Sequence, residues 1–182
     1  MKIKLNNVRL AFPALFEAKT VNGEGKPAFS AVFLLDPTHP NIAAVNAAIA
    51  AVAKEKWGAK ADAILKTARA ADKVCLHNGD TKAEYAGFEG NFYISARNAT
   101  RPLVIDADKS PLTAQDGKPY AGCWVNASIT LWAQDNNYGK RVNASLGGVQ
   151  FLKDGDAFAG SGPASEDEFD DISAGADTES LV

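Results

Sequence analysis

In the segments 122–134 and 140–152, on either side of Asp135-Asn-Asn-Tyr-Gly139, apolar and polar side chains alternate with period two. Successive side chains of a strand point to opposite faces, so this pattern predicts two long strands, Gly122–Gln134 and Lys140–Leu152, joined as a hairpin by the turn. The same period marks Ala28–Leu35 and Asn91–Asn98, and further turns are expected at Asn22-Gly23-Glu24-Gly25 and Gln115-Asp116-Gly117.

A different period governs residues 41–71. Pro37-Thr-His-Pro40 stops an apolar run, and Ile42, Val45, Ile49 and Val52 then recur at i, i+3, i+7 and i+10. This spacing predicts an amphipathic helix from Asn41 to Trp57 with Gly58 as its terminator. A second short helix is expected over Ala61–Ala71, with Ile64, Leu65 and Ala68 inward, and alanine richness favours both. Several strands around one helical insertion point to a mainly β chain forming a small, partly open barrel.

Over Cys123–Ala133, Cys123, Val125, Ala127, Ile129, Leu131 and Ala133 share one face, and Trp124, Asn126, Ser128, Thr130 and Trp132 share the other. The first set is a core face. The second sets two indoles among hydrogen-bonding groups, which a plainly solvated strand has no folding reason to display. On the partner strand Arg141, Asn143 and Ser145 oppose Val142, Ala144 and Leu146. On Asn91–Asn98 Tyr93, Ser95 and Arg97 oppose Phe92, Ile94 and Ala96, and Arg101 follows. If these strands share a sheet, Trp124, Trp132, Tyr93, Arg97 and Arg141 make one surface of rings and guanidinium groups. Such a surface suits single-stranded nucleic acid, whose unpaired bases stack on aromatics while cations neutralise the phosphates between them. Against this stands a second core, in which the two tryptophans lie under the helices. Asn126, Ser128 and Thr130 between them weigh against it, because each would need a partner if buried.

Composition adds a division of the chain. With 46% hydrophobic and 23% charged residues, 182 residues suffice for one domain with a real core. All 19 Lys and Arg lie in residues 1–153 with 13 of the 22 acids, a net charge of +6, whereas residues 154–182 hold nine acids and no base. A basic body carrying an acidic tail is expected: a domain at 1–160 and a disordered tail at 161–182, too poor in apolar residues to offset its ordering entropy. No apolar run approaches the ~20 residues of a membrane helix, so a cytoplasmic location is expected.

Sites for catalysis or cofactors are thin, and none is expected. Asp106-Ala-Asp108 would put two carboxylates on one side of an extended segment, but beside Lys109 it reads as a loop feature. Cys75, His77, Cys123 and His39 lack paired metal-ligand spacing, and the two cysteines read as reduced core thiols.

Four phrases in order, Val8-Arg-Leu-Ala-Phe-Pro-Ala-Leu-Phe-Glu17, Gly25-Lys-Pro-Ala-Phe-Ser-Ala-Val-Phe-Leu34, Tyr120-Ala-Gly-Cys-Trp-Val-Asn-Ala-Ser128 and Leu146-Gly-Gly-Val-Gln-Phe-Leu-Lys-Asp-Gly155, make the body resemble a bacteriophage family of single-stranded DNA-binding proteins. The resemblance implies an oligonucleotide-binding (OB) fold, a five-stranded barrel with a helical insertion, in a protein of the infected bacterial cytoplasm. It also implies a non-enzymatic role, coating single-stranded DNA in replication, repair or recombination. The run Glu166, Asp167, Glu168, Phe169, Asp170 and Asp171 is similar to the acidic ends of such proteins, which implies docking of replication or recombination proteins, or competition with DNA for the basic body. The binding residues expected from alternation are Trp124, Trp132, Tyr93, Arg97, Arg101, Arg141, Asn143 and Asn126. An exposed strand edge would let two copies pair as a dimer. The competing reading is a phage assembly protein whose tail recruits partners and whose body binds no DNA.

Overall fold

The computed structural model describes residues 1–21, 23–158, 170 and 172. Its elements are β1 (Lys2–Val21), β2 (Glu24–Leu35), α1 (Asn41–Trp57), α2 (Ala61–Ala70), β3 (Leu76–Asn78), β4 (Phe92–Asn98), β5 (Leu103–Ile105), β6 (Trp124–Asn136) and β7 (Gly139–Lys153). Four strands and both helices fall where periodicity placed them.

β1, β2, β4, β7 and β6 form a ring, with β3 added on β4 and β5 on β7. All its neighbours are antiparallel except β4 and β7, which close the barrel through one parallel pair, Arg97 with Ser145. This is the five-stranded barrel topology of the OB fold. The inward sets meet as expected: Cys123, Val125, Ile129, Leu131, Val142, Leu146 and Ile94 are essentially inaccessible to solvent. Val45, Ile49 and Val52 of α1 and Leu65 and Ala68 of α2 join the same cluster, so the insertion adds to the barrel core rather than building a second one. Cys75 and Cys123 are unpaired thiols within it, and burial pushes them up to about 12 and about 11.

β1 is the strand that alternation leaves unmarked. Its buried residues Leu5, Val8, Leu10, Ala11, Ala14 and Leu15 do not keep period two. Two register shifts explain this, one between Leu5 and Val8 against β6 and one between Ala11 and Ala14 against β2. Each inserts an extra residue and moves the apolar set to the other phase. Asn7 and Phe12 sit in these breaks with positive φ, 54° and 45°. The first break also seats α1. Asn6 N–H donates to Asn41 Oδ1 at 2.8 Å, His39 Nε2 donates to Asn6 O at 2.8 Å, and Asn41 N–H donates to His39 Nδ1 at 3.0 Å. Gly58, at φ 57°, ends the helix as expected.

A smaller apolar cluster lies on the outside of the barrel, where Ala11, Leu34, Phe88 and Tyr93 are buried together against Val32 and Phe158.

Candidate nucleic-acid interface

Hairpin register sets the outward face of β6 beside that of β7: Trp132 pairs with Asn143, Thr130 with Ser145, and Gln134 with Arg141. The closing pair of the barrel then sets Arg97 of β4 beside Ser145. Trp132, Arg141, Asn143, Ser145, Ser95 and Arg97 therefore line one hollow of about 500 Å³, together with His77 and Tyr138. Trp132 is 44% exposed and Tyr138, in the β6–β7 turn, is 83% exposed. Arg97 and Arg141 are exposed, and among the described residues neither makes an ion pair or a side-chain hydrogen bond. The carboxylate in the same hollow, Asp72, is engaged by His77 Nδ1. Among the described residues, two guanidinium groups thus stand without an ion-pair partner beside an open indole.

Ser95 and Arg97 also line a second, larger groove of about 1030 Å³, which runs over Ala28 and Ser30 of β2 to Phe12, Phe16, Lys19 and Thr20 of β1. The two hollows meet at Ser95 and Arg97 and together reach from Tyr138 in the β6–β7 turn to Lys19 and Thr20 near the end of β1. In OB folds this face and these loops receive oligonucleotides.

Four of the eight expected residues, Trp132, Arg97, Arg141 and Asn143, meet in this surface, and Asn143 Nδ2 donates there to Gln134 Oε1 at 2.8 Å. The other four do not join them, each for a physical reason. Tyr93 faces outward as alternation demands, yet it is only 5% exposed, because His77 stacks on it at 4.8 Å and Phe88 packs at 5.2 Å. Burial accordingly raises its phenol above the usual range. Trp124 is half-buried at the far end of β6, flanked by the Arg9 guanidinium at 5.8 Å and Lys153 Nζ at 5.5 Å. Asn126 is occupied by the first β1 break, accepting from Asn7 N–H at 2.9 Å and donating to Gln150 Oε1 at 3.3 Å. Arg101 donates to Phe16 O at 2.9 Å and lies over Phe29 at 5.3 Å. Of the expected tail contacts, Glu166, Asp167, Glu168, Phe169 and Asp171 lie outside the described residues, and Asp170 is exposed.

Sequence reasoning missed three exposed rings on this surface: Tyr138, Phe12 and Tyr85. Tyr138 was signalled by an aromatic inside a polar turn, and Phe12 by the Phe-Pro step at residues 12 and 13. Tyr85 had no signal in its neighbours. The Asp106 and Asp108 pair is a turn, as expected. Backbone Ala107 N–H, then Lys118, hold Asp106 below the usual carboxylate range, and Ser110 does the same for Asp108. Among the described residues no group of three or more His, Cys, Asp and Glu is placed to hold a metal ion. No helix among them is long and apolar enough to cross a membrane.

A five-stranded barrel whose concave face presents an open indole beside exposed guanidinium groups belongs to the class of oligonucleotide-binding proteins suited to unpaired strands. The chain matches the family model of the Enterobacter phage Enc34 single-stranded DNA-binding protein over residues 1–181 and belongs to that family, which is one of DNA-binding proteins. It is 52% identical, over the whole of both chains, to protein p50 of Acyrthosiphon pisum secondary endosymbiont phage 1. The solved single-stranded DNA-binding protein from bacteriophage Enc34 in complex with ssDNA is similar at TM-score 0.73 and 28% identity, covering 87% of this chain and 89% of that one. Gp2.5, a single-stranded DNA-binding protein encoded by bacteriophage T7, is similar at TM-score 0.58 and 12% identity, covering 93% of this chain and 97% of that one, a likeness of fold alone.

Proposed function

We propose that this chain coats and protects single-stranded phage DNA without strong sequence preference during replication, repair or recombination, by binding rather than catalysis. The observation that carries this reading is Trp132, an exposed indole with Arg97 and Arg141 beside it in the groove across β4 and β7. A base stacks on the ring, whatever its identity, because every base offers a π face. The guanidinium groups neutralise the phosphates on either side. The nine acids of residues 154–182 supply a run of negative charge that competes for the same cations or docks replication or recombination proteins.

Titrating intrinsic tryptophan fluorescence with oligo-dT, at 50 and 200 mM salt, tests the reading. Three cations on phosphates, Arg97, Arg141 and Lys73, give a salt slope near −2, so the expected loss across this range is roughly 20-fold. A chain ending at Gly160 binds more tightly if the tail competes. No quenching and no complex at 50 mM salt sinks the DNA-coating function.

A further inference from the structure

The far end of the groove is built as carefully as the Trp132 end, and nothing in the barrel core requires it. The second register shift of β1 turns Phe12 out of the barrel, where it is 54% exposed at φ 45°, a conformation that bulky side chains seldom adopt. Tyr85, 43% exposed, meets it edge to face at 5.1 Å, and Phe88 supports both from below at 5.9 and 5.8 Å. Phe88 in turn rests on Tyr93.

The segment carrying Tyr85 and Phe88 lacks strand or α-helix, yet it is tied at both ends. Gly79 N–H donates to Asn91 O at 2.7 Å, Gly90 N–H to Asp80 Oδ1 at 2.7 Å, and Asn91 Nδ2 to Gly87 O at 2.7 Å. A side chain at Gly79 would lie 2.0 Å from Phe88 O. An irregular loop fastened in this way, over its own small apolar cluster, holds two rings at the surface in a fixed place. Folding alone gives no reason to keep them there.

We propose that Phe12 and Tyr85 form a second base-stacking station, so that one DNA strand crosses the barrel from Trp132, over Arg97, to this aromatic pair. The inference rests on the single-stranded DNA reading of the groove and extends it to residues with no assigned role. Arg97 lines both hollows and Lys19 lines the far one, so phosphates find cations between the stations. From β6 through β7, β4 and β2 to β1 is four strand steps of about 4.8 Å, roughly 19 Å around the surface.

The test compares Phe12→Leu/Tyr85→Leu with Trp132→Ala on dT12, alongside ultraviolet crosslinking of the wild-type chain to a 5-iodo-deoxyuridine 12-mer. Leucine keeps apolar cover over Phe88 and removes only the rings. The double variant is expected to bind dT12 on the order of tenfold more weakly with an unchanged salt slope, and adducts are expected on peptides containing Phe12 or Tyr85 as well as Trp132. A folded double variant that binds like wild type, while Trp132→Ala binds weakly, removes the second station and leaves the groove reading standing. If the double variant does not fold, crosslinks confined to the Trp132 peptide overturn the proposal equally. A wild-type chain that fails to bind dT12 at 50 mM salt removes the reading beneath it.

Discussion

Trp124 and Trp132 stand on the same face of one strand, eight residues and about 26 Å apart, and their surroundings are opposite. Trp132 faces Asn143 across the hairpin, and its ring is open to the groove. Trp124 lies beside Arg9 and Lys153, and a side chain on Gly155 would come within 3.0 Å of its indole nitrogen. What covers it arrives from beyond β7. Tyr120 Oη donates to Asp154 Oδ1 at 2.8 Å, Arg9 Nη2 to Asp156 O at 2.7 Å, and Phe158 N–H to Ala121 O at 3.1 Å, so residues 154–158 fold back over that end of the barrel. Alternation therefore assigns a residue to a face. Whether the residue is free to bind is decided by segments distant in sequence.

The largest expected effect separates the two rings by function. Trp132→Ala removes the stacking surface and is expected to weaken oligo-dT binding by about 1–3 kcal/mol, roughly 5- to 150-fold, with little change in melting temperature. Trp124→Ala is expected to do the converse. It loses contacts with two cations and the returning chain, which costs about 1–2 kcal/mol of stability in thermal or urea unfolding, while affinity changes less than about threefold. Equal binding losses in both variants would erase the distinction and put the DNA across the whole length of β6.

Much of the barrel was legible because β2, β4, β6 and the Val142–Leu146 half of β7 keep their period over the residues that pack, although β7 shifts phase at Gly147–Gly148, and because α1 and α2 carry apolar side chains at helical spacing with Gly58 between them. β1 was not legible as a strand. Register shifts at Leu5/Val8 and Ala11/Ala14, and two more toward Val21, change its phase repeatedly, and between the first two Leu10 is buried in the barrel core while its neighbour Ala11 is buried in the outer cluster. The site was legible in half for the same reason. Trp132, Arg97, Arg141 and Asn143 lie on stretches whose period is intact and whose outward face nothing covers among the described residues. Tyr93 obeys the same period but is covered by Phe88 and His77, which no local pattern connects to it. Phe12 and Tyr85 are 73 positions apart and meet only because the β1 bulge and the loop after β3 converge.

The same contrast holds between two arginines, and here the expected effect is smallest. Arg9 is fully engaged: Nε donates to Gly122 O at 3.0 Å, Nη2 donates to Asp156 O, and the guanidinium lies 4.4 Å from the Phe158 ring centroid. Arg97 is exposed at the junction of the two hollows. A cation contributes to salt-dependent binding only if it meets a phosphate and releases a counterion, at about 0.7 in the slope for each contact on a single strand. Arg97→Gln is therefore expected to make the slope shallower by about 0.7, and Arg9→Gln to leave it unchanged while lowering stability. Fluorescence titrations at four salt concentrations resolve that difference. If Arg9→Gln instead flattens the slope, DNA must displace residues 154–158 to reach it. Trp124 would then be uncovered in the complex, and the two ends of β6 would differ only in the free protein.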